Sequence, residues 1–230
     1  PADSGFYGGH GTCTAGLVGA LINNSAGIAG VAPECKLMAI RIFNLVGSSS
    51  VVQMSRAFDT ARVTGLDVLS NSWTGGTASS TLTNAINNAA LNGRGGLGCC
   101  IFFASGNDGR NSVWFPSYLS NVISVGGSTN QDQKKAPGTG NQYWWGGNYG
   151  EDENGDLDIV APTVCYTTDI QGVYGYNNTW GFEGDYFDSF RGTSTSCPNA
   201  AGIAALMLSV NPSQTRLEVT DKLFRGCEKI

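Results

Sequence analysis

A serine lies between a glycine-threonine turn and an apolar run in Gly192-Thr193-Ser194-Thr195-Ser196-Cys197-Pro198, followed by Ile203-Ala204-Ala205-Leu206-Met207-Leu208. Pro198 falls where a helix can begin, because its fixed φ and missing N–H are tolerated in a first turn. Ser194 is then expected at or just before a helix N-terminus, where unpaired N–H groups and the dipole favour negative charge. A hydroxyl placed there can act as a nucleophile, with its own backbone N–H aimed at an oxyanion. A serine- and threonine-rich helix cap fits this stretch equally well. The single histidine, His10, sits in Gly9-His10-Gly11-Thr12-Cys13 and opens a helix of small residues, so its ring can project into a cleft. A third stretch, Ala104-Ser105-Gly106-Asn107-Asp108-Gly109, follows the apolar run Cys99–Phe103. An asparagine at a strand's C-terminal end can donate a side-chain N–H to a developing oxyanion, although asparagine is also a common turn residue.

The elements that must carry these residues alternate. Apolar positions recur at helical spacing over 10–22, 50–64 and 80–92, with Val51, Met54, Ala57, Phe58 and Ala61 on one face of the second. Lys36–Ile42 reads as a buried strand, and further strands are expected at 66–71, 99–104, 121–126 and 157–160. Strand–helix alternation implies an α/β fold, a three-layer sandwich with a mainly parallel central sheet and helices on both faces. Ligands of such sheets bind beyond the carboxyl ends of the strands, where Ser72-Trp73 and Asn107 fall. Residues 127–156 read as surface loops, and 167–186 as a hairpin or long loop packed near the serine. The helix from about Pro198 to Val210 is expected to be buried all round. A last amphipathic helix follows Asn211-Pro212-Ser213, with Leu217, Val219 and Leu223 toward the core.

Composition narrows the function classes. Only 13% of the 230 residues are charged and 33 are glycine, which suits a compact, turn-rich domain rather than disorder. The net charge of −5 comes without a basic patch, which argues against a nucleic-acid partner. No apolar run is long enough to span a bilayer. Seven cysteines leave at least one unpaired within the chain; Cys13 and Cys35 could pair, but connectivity is open. With one histidine and no Cys-x-x-Cys, no metal site is assigned. Gly93-Arg94-Gly95-Gly96-Leu97-Gly98 spells a dinucleotide fingerprint, but it follows a helix and opens a strand, so it reads as a turn.

Together the His-Gly-Thr, Ser-Gly-Asn and Gly-Thr-Ser blocks resemble the subtilisin-like serine proteases, in that family's order. The connecting segments Gly30-Val31-Ala32-Pro33, Asn71-Ser72-Trp73, Phe115-Pro116-Ser117, Val122–Gly126 and Asp158-Ile159-Val160-Ala161-Pro162 match as well. The resemblance covers nearly the whole chain. It implies a serine endopeptidase working through an acyl-enzyme, with Ser194 as nucleophile, His10 as general base and Asn107 in the oxyanion hole. It further implies that Ser72, Trp73 and Thr74 form one edge of the substrate groove by strand addition. Ala104, Ser105 and Gly106 would wall the specificity pocket, and Trp114 would narrow it. A polypeptide substrate, an N-terminal propeptide, a secreted location and a monomeric state also follow from the resemblance. No cofactor is required for the chemistry; structural calcium is frequent in the family, with no ligand set matched here.

One departure matters. A subtilase orients its histidine with an aspartate at the end of an early strand, some tens of residues before the His-Gly-Thr block. Only nine residues precede His10, and Asp3-Ser4-Gly5 copies the aspartate motif with no strand before it. The expectation is a single peptidase domain over 1–230, cut at its N-terminus, so that the first strand and the aspartate are missing, and also cut at its C-terminus. The alternative is an inactive relative that binds peptides in the same groove. An unrelated α/β esterase is a third reading, weakened by the absence of Gly-x-Ser-x-Gly around Ser194.

Overall fold

The computed structural model describes residues 6–44, 47–140, 142–150, 157–177 and 182–229; Asp3 lies outside them. A four-stranded parallel sheet in the order β1 (Val68–Asn71), β2 (Cys100–Ala104), β3 (Ile123–Ser128), β4 (Ile159–Pro162) forms the middle layer. Alternate side chains of each strand point to opposite faces. On one face Cys99, Ile101, Phe103 and Val122 pack against α2 (Val51–Thr64) and α3 (Ser80–Asn92). On the other, Cys100, Phe102, Ala104, Ile123 and Val125 pack against α4 (Thr193–Val210) and α5 (Arg216–Gly226). This is the expected three-layer α/β sandwich.

Local chemistry sets the helix ends. Ser50 and Ser79 accept hydrogen bonds from the N–H groups of Gln53 and Leu82, and Gly65 closes α2 in the left-handed region. Thr215 and Glu218 form a reciprocal capping box at the start of α5. The Gly-rich run after α3 is a short 3₁₀ turn, Arg94–Gly96. Its arginine ties Asp67 at 2.7 Å to the carbonyls of Gly98, Pro212 and Gln214. An antiparallel hairpin, β5 (Cys165–Thr168) and β6 (Tyr186–Phe190), covers the flank of α1 (Phe6–Gly19) and leads into α4.

Several expectations are corrected. Lys36–Ile42 forms no strand, and Leu37 and Met38 are 51% and 48% exposed. A strand exists only with a partner, and no described strand pairs with this segment or with the outer edge of β1. The serine helix begins at Thr193, so Pro198 lies inside it. It is not buried all round, since Ile203, Leu206 and Val210 face outward. On α5, Val219 and Leu223 are buried but Leu217 is 64% exposed. The stretch 127–156 is not all surface: Lys135, Trp145 and Asn148 are buried. The Lys135 ammonium donates to the carbonyls of Ala136, Thr139 and Trp145 at 3.2, 3.0 and 2.8 Å. All seven cysteines are free, Cys13 and Cys35 included.

Candidate active site

The site assembles at the carboxyl ends of β1 and β2, where the N-terminus of α4 meets them. Ser194 is the second residue of α4. Pro198 has no N–H to donate to the Ser194 carbonyl four residues earlier. That carbonyl instead accepts the Ser72 hydroxyl at 2.8 Å, from the segment just beyond β1. The Ser194 hydroxyl in turn donates to the Ser72 carbonyl at 3.3 Å. This reciprocal pair ties Ser194 to the segment expected to hold substrate.

Asn107 follows β2 and caps the helix from outside it. Its Oδ1 accepts from the Thr193 N–H at 2.8 Å and from the Thr193 hydroxyl at 3.0 Å. With Oδ1 so occupied, the amide orientation is fixed, and Nδ2 makes no hydrogen bond among the described residues. Gly192 makes this approach possible: its φ is +95° and a Cβ there would lie 3.1 Å from Asn107 Nδ2. A hydrogen bond from the Gly106 N–H to the Thr193 hydroxyl at 3.2 Å and one from the Thr163 hydroxyl to the Gly192 carbonyl at 2.9 Å complete the clamp on the helix start.

His10 lies on α1, and its ring meets Phe190 edge-on at 5.4 Å between centroids. Phe190 ends β6, four residues before Ser194 in the chain. The His10 ring is largely desolvated, and burial lowers its pKa from the usual value of 6.5. Among the described residues the imidazole makes no hydrogen bond or ion pair.

The expected groove residues separate into backbone and side-chain roles. Trp73 turns its ring inward, edge-on to Phe103 at 5.1 Å and Phe43 at 6.2 Å. The Ser72 hydroxyl and the Trp73 ring are thus both engaged within the protein. Ala104, Ser105 and Gly106 are buried, and the Ser105 hydroxyl donates away to the Asn148 carbonyl at 2.9 Å. Trp114 stands across from Thr74-Gly75, with ring atoms 3.5 Å from where a Gly75 Cβ would be. Two residues missed by the sequence reading also belong to the neighbourhood. Asn148 binds the 105–110 loop, and Arg191 lays its guanidinium 5.6 Å over the Trp144 ring beside the helix start. No local spacing pattern marked either one.

A sequence model of the subtilase family matches residues 1–226. The chain belongs to the subtilase family. Subtilisin Savinase of Lederbergia lenta is 34% identical over 94% of this chain and 68% of its own length. M-protease of Shouchella clausii (strain KSM-K16) is also 34% identical, but the chain spans only 48% of it, about half its length. A calcium-dependent protease of Nostoc sp. (strain PCC 7120 / SAG 25.82 / UTEX 2576) is 36% identical over 96% of this chain and 35% of its own length. Among solved structures, S41 psychrophilic protease superposes with a TM-score of 0.74 at 28% identity, covering 94% of this chain and 68% of that one. In this subtilase no three His, Cys, Asp or Glu side chains gather into a metal site among the described residues. No helix among them is long and apolar enough to cross a membrane.

Proposed function

We propose that this subtilase is the catalytic part of a serine endopeptidase. Ser194 attacks a peptide carbonyl, and His10 takes its proton and returns it to the leaving amine. Asn107 Nδ2 and the Ser194 backbone N–H receive the oxyanion. The observation that carries this reading is the Asn107–Thr193 clamp, which leaves one amide N–H₂ beside the N-terminus of the helix bearing Ser194. The Ser194 hydroxyl rests on the Ser72 carbonyl and must swing toward the imidazole to react. The substrate is a polypeptide lying along the main chain of 72–74 as an added strand. By family resemblance the enzyme is extracellular and made with a propeptide; structural calcium is in keeping with the calcium-dependent relative, without assigned ligands.

The orienting aspartate is proposed to come from chain preceding Pro1. The edge of β1 that no described strand pairs supports this, because an open edge of a buried parallel sheet is ordinarily covered. A non-catalytic peptide-binding relative is the second reading, favoured by the absence of a described carboxylate on His10. Hydrolysis of an unfolded polypeptide by the full-length protein, abolished by Ser194→Ala, is expected; an intact substrate after prolonged incubation would favour the second reading.

A further inference from the structure

The oxyanion loop 105–110 is not held by its own turn alone. Asn148, fully buried in a stretch without regular structure, fastens it at four points. Its backbone N–H donates to the Gly106 carbonyl at 2.9 Å, and its carbonyl accepts the Ser105 hydroxyl at 2.9 Å. Its side-chain Oδ1 accepts the N–H groups of Asp108 at 2.9 Å and Arg110 at 3.3 Å. These contacts bracket Asn107 on both sides. Gly106 has a φ of +111°, and a Cβ there would collide with the Asn148 amide, so the two residues fit only without a side chain at 106. Asn148 Nδ2 is buried with no hydrogen-bond partner. An unmade buried donor is a stability cost, and such costs concentrate where function selects the geometry.

Asn148 is itself anchored. Gly147 N–H donates to the Lys135 carbonyl at 2.8 Å, and Lys135 N–H donates to the Gly127 carbonyl of β3 at 2.7 Å. The three carbonyls on the Lys135 ammonium tie the intervening turn together. The loop carrying Asn107 is thus braced against the central sheet through 135 and 148.

We propose that Asn148 is a positioning residue for catalysis: by fixing the 105–110 loop it holds Asn107 Nδ2 where the oxyanion forms. This rests on the endopeptidase reading above. A positioning residue that works through Asn107 has nothing to do once that donor is gone. The test is a double-mutant cycle in the full-length protein with a chromogenic peptide substrate. Asn148→Leu is expected to lower kcat about 10-fold with KM changed less than about two-fold, because the interaction is realised in the transition state. Asn148→Asp keeps the Oδ1 acceptor and is expected to restore kcat to within about three-fold of wild type. In an Asn107→Ala background, Asn148→Leu should change kcat less than about two-fold. If Asn148→Leu does not fold, Ser105→Ala removes one of the four fastenings, and its smaller kcat loss should also vanish with Asn107→Ala. Equal loss in both backgrounds, or an Asn148→Asp protein that folds yet is as slow as Asn148→Leu, would overturn the proposal. A wild-type protein whose Ser194 does not react would instead remove the endopeptidase reading, and this inference with it.

Discussion

The Ser72 hydroxyl donates to the Ser194 carbonyl at 2.8 Å, in the place where Pro198 denies α4 its own hydrogen bond. A proline six residues into a helix is ordinarily disruptive. Here it frees a carbonyl for Ser72 and so joins the start of α4 to the segment that follows β1. Ser72→Ala leaves that carbonyl unpartnered, and its expected cost is about 1 kcal/mol in urea unfolding, with a fall in kcat. Unchanged stability and turnover would show that the pair is idle.

Asn107 has two separable tasks. Its Oδ1 caps α4 and its Nδ2 is assigned to the oxyanion. Asn107→Asp keeps the acceptor and removes the donor, so kcat should fall about 10²–10³-fold, the range known for a subtilisin, with no loss of thermal stability. Asn107→Ala should show the same fall in kcat and lose about 1 kcal/mol of stability besides. Turnover retained in Asn107→Asp would remove the residue from the oxyanion site.

His10 is expected to shape the acid side of the stability of residues 1–230. Burial lowers its pKa from the usual 6.5, so the neutral form persists at mildly acidic pH. The unfolded chain takes up a proton at this histidine before the folded one does. The resulting stability is therefore fully present above the unfolded pKa and is lost as pH falls from 6.5 through the folded pKa. Urea titrations between pH 5 and 8 on wild type and His10→Gln should differ in slope in that window. Parallel curves would show that His10 titrates alike in both states.

Lys135 is 1% exposed, and its ammonium serves three carbonyls. Lys135→Met strands those carbonyls and is expected to cost about 2–4 kcal/mol in chemical unfolding. A stable Lys135→Met protein would mean that the 136–147 turn holds itself.

The helices 51–64 and 80–92 and strands β1 to β4 were legible because their periodicity and turn residues act locally. The three blocks around His10, Asn107 and Ser194 were legible as motifs. The strand expected at 36–42 was not, because its apolar letters describe a side chain's preference while a ladder needs a neighbour. Leu217 was misplaced because α5 buries a narrower stripe, through Val219 and Leu223, than its apolar residues suggest. Lys135 and Asn148 were invisible for another reason. A charged or amide residue in an irregular stretch ordinarily faces water, and their burial is decided by carbonyls and N–H groups as far as 43 residues away.

The most direct test of the central claim is covalent labelling of the full-length protein with a fluorophosphonate, mapped by mass spectrometry. One phosphonylated residue is expected, Ser194, with labelling lost in His10→Ala and slowed in Asn107→Ala. Labelling elsewhere, or at Ser194 with undiminished rate in His10→Ala, would contradict it.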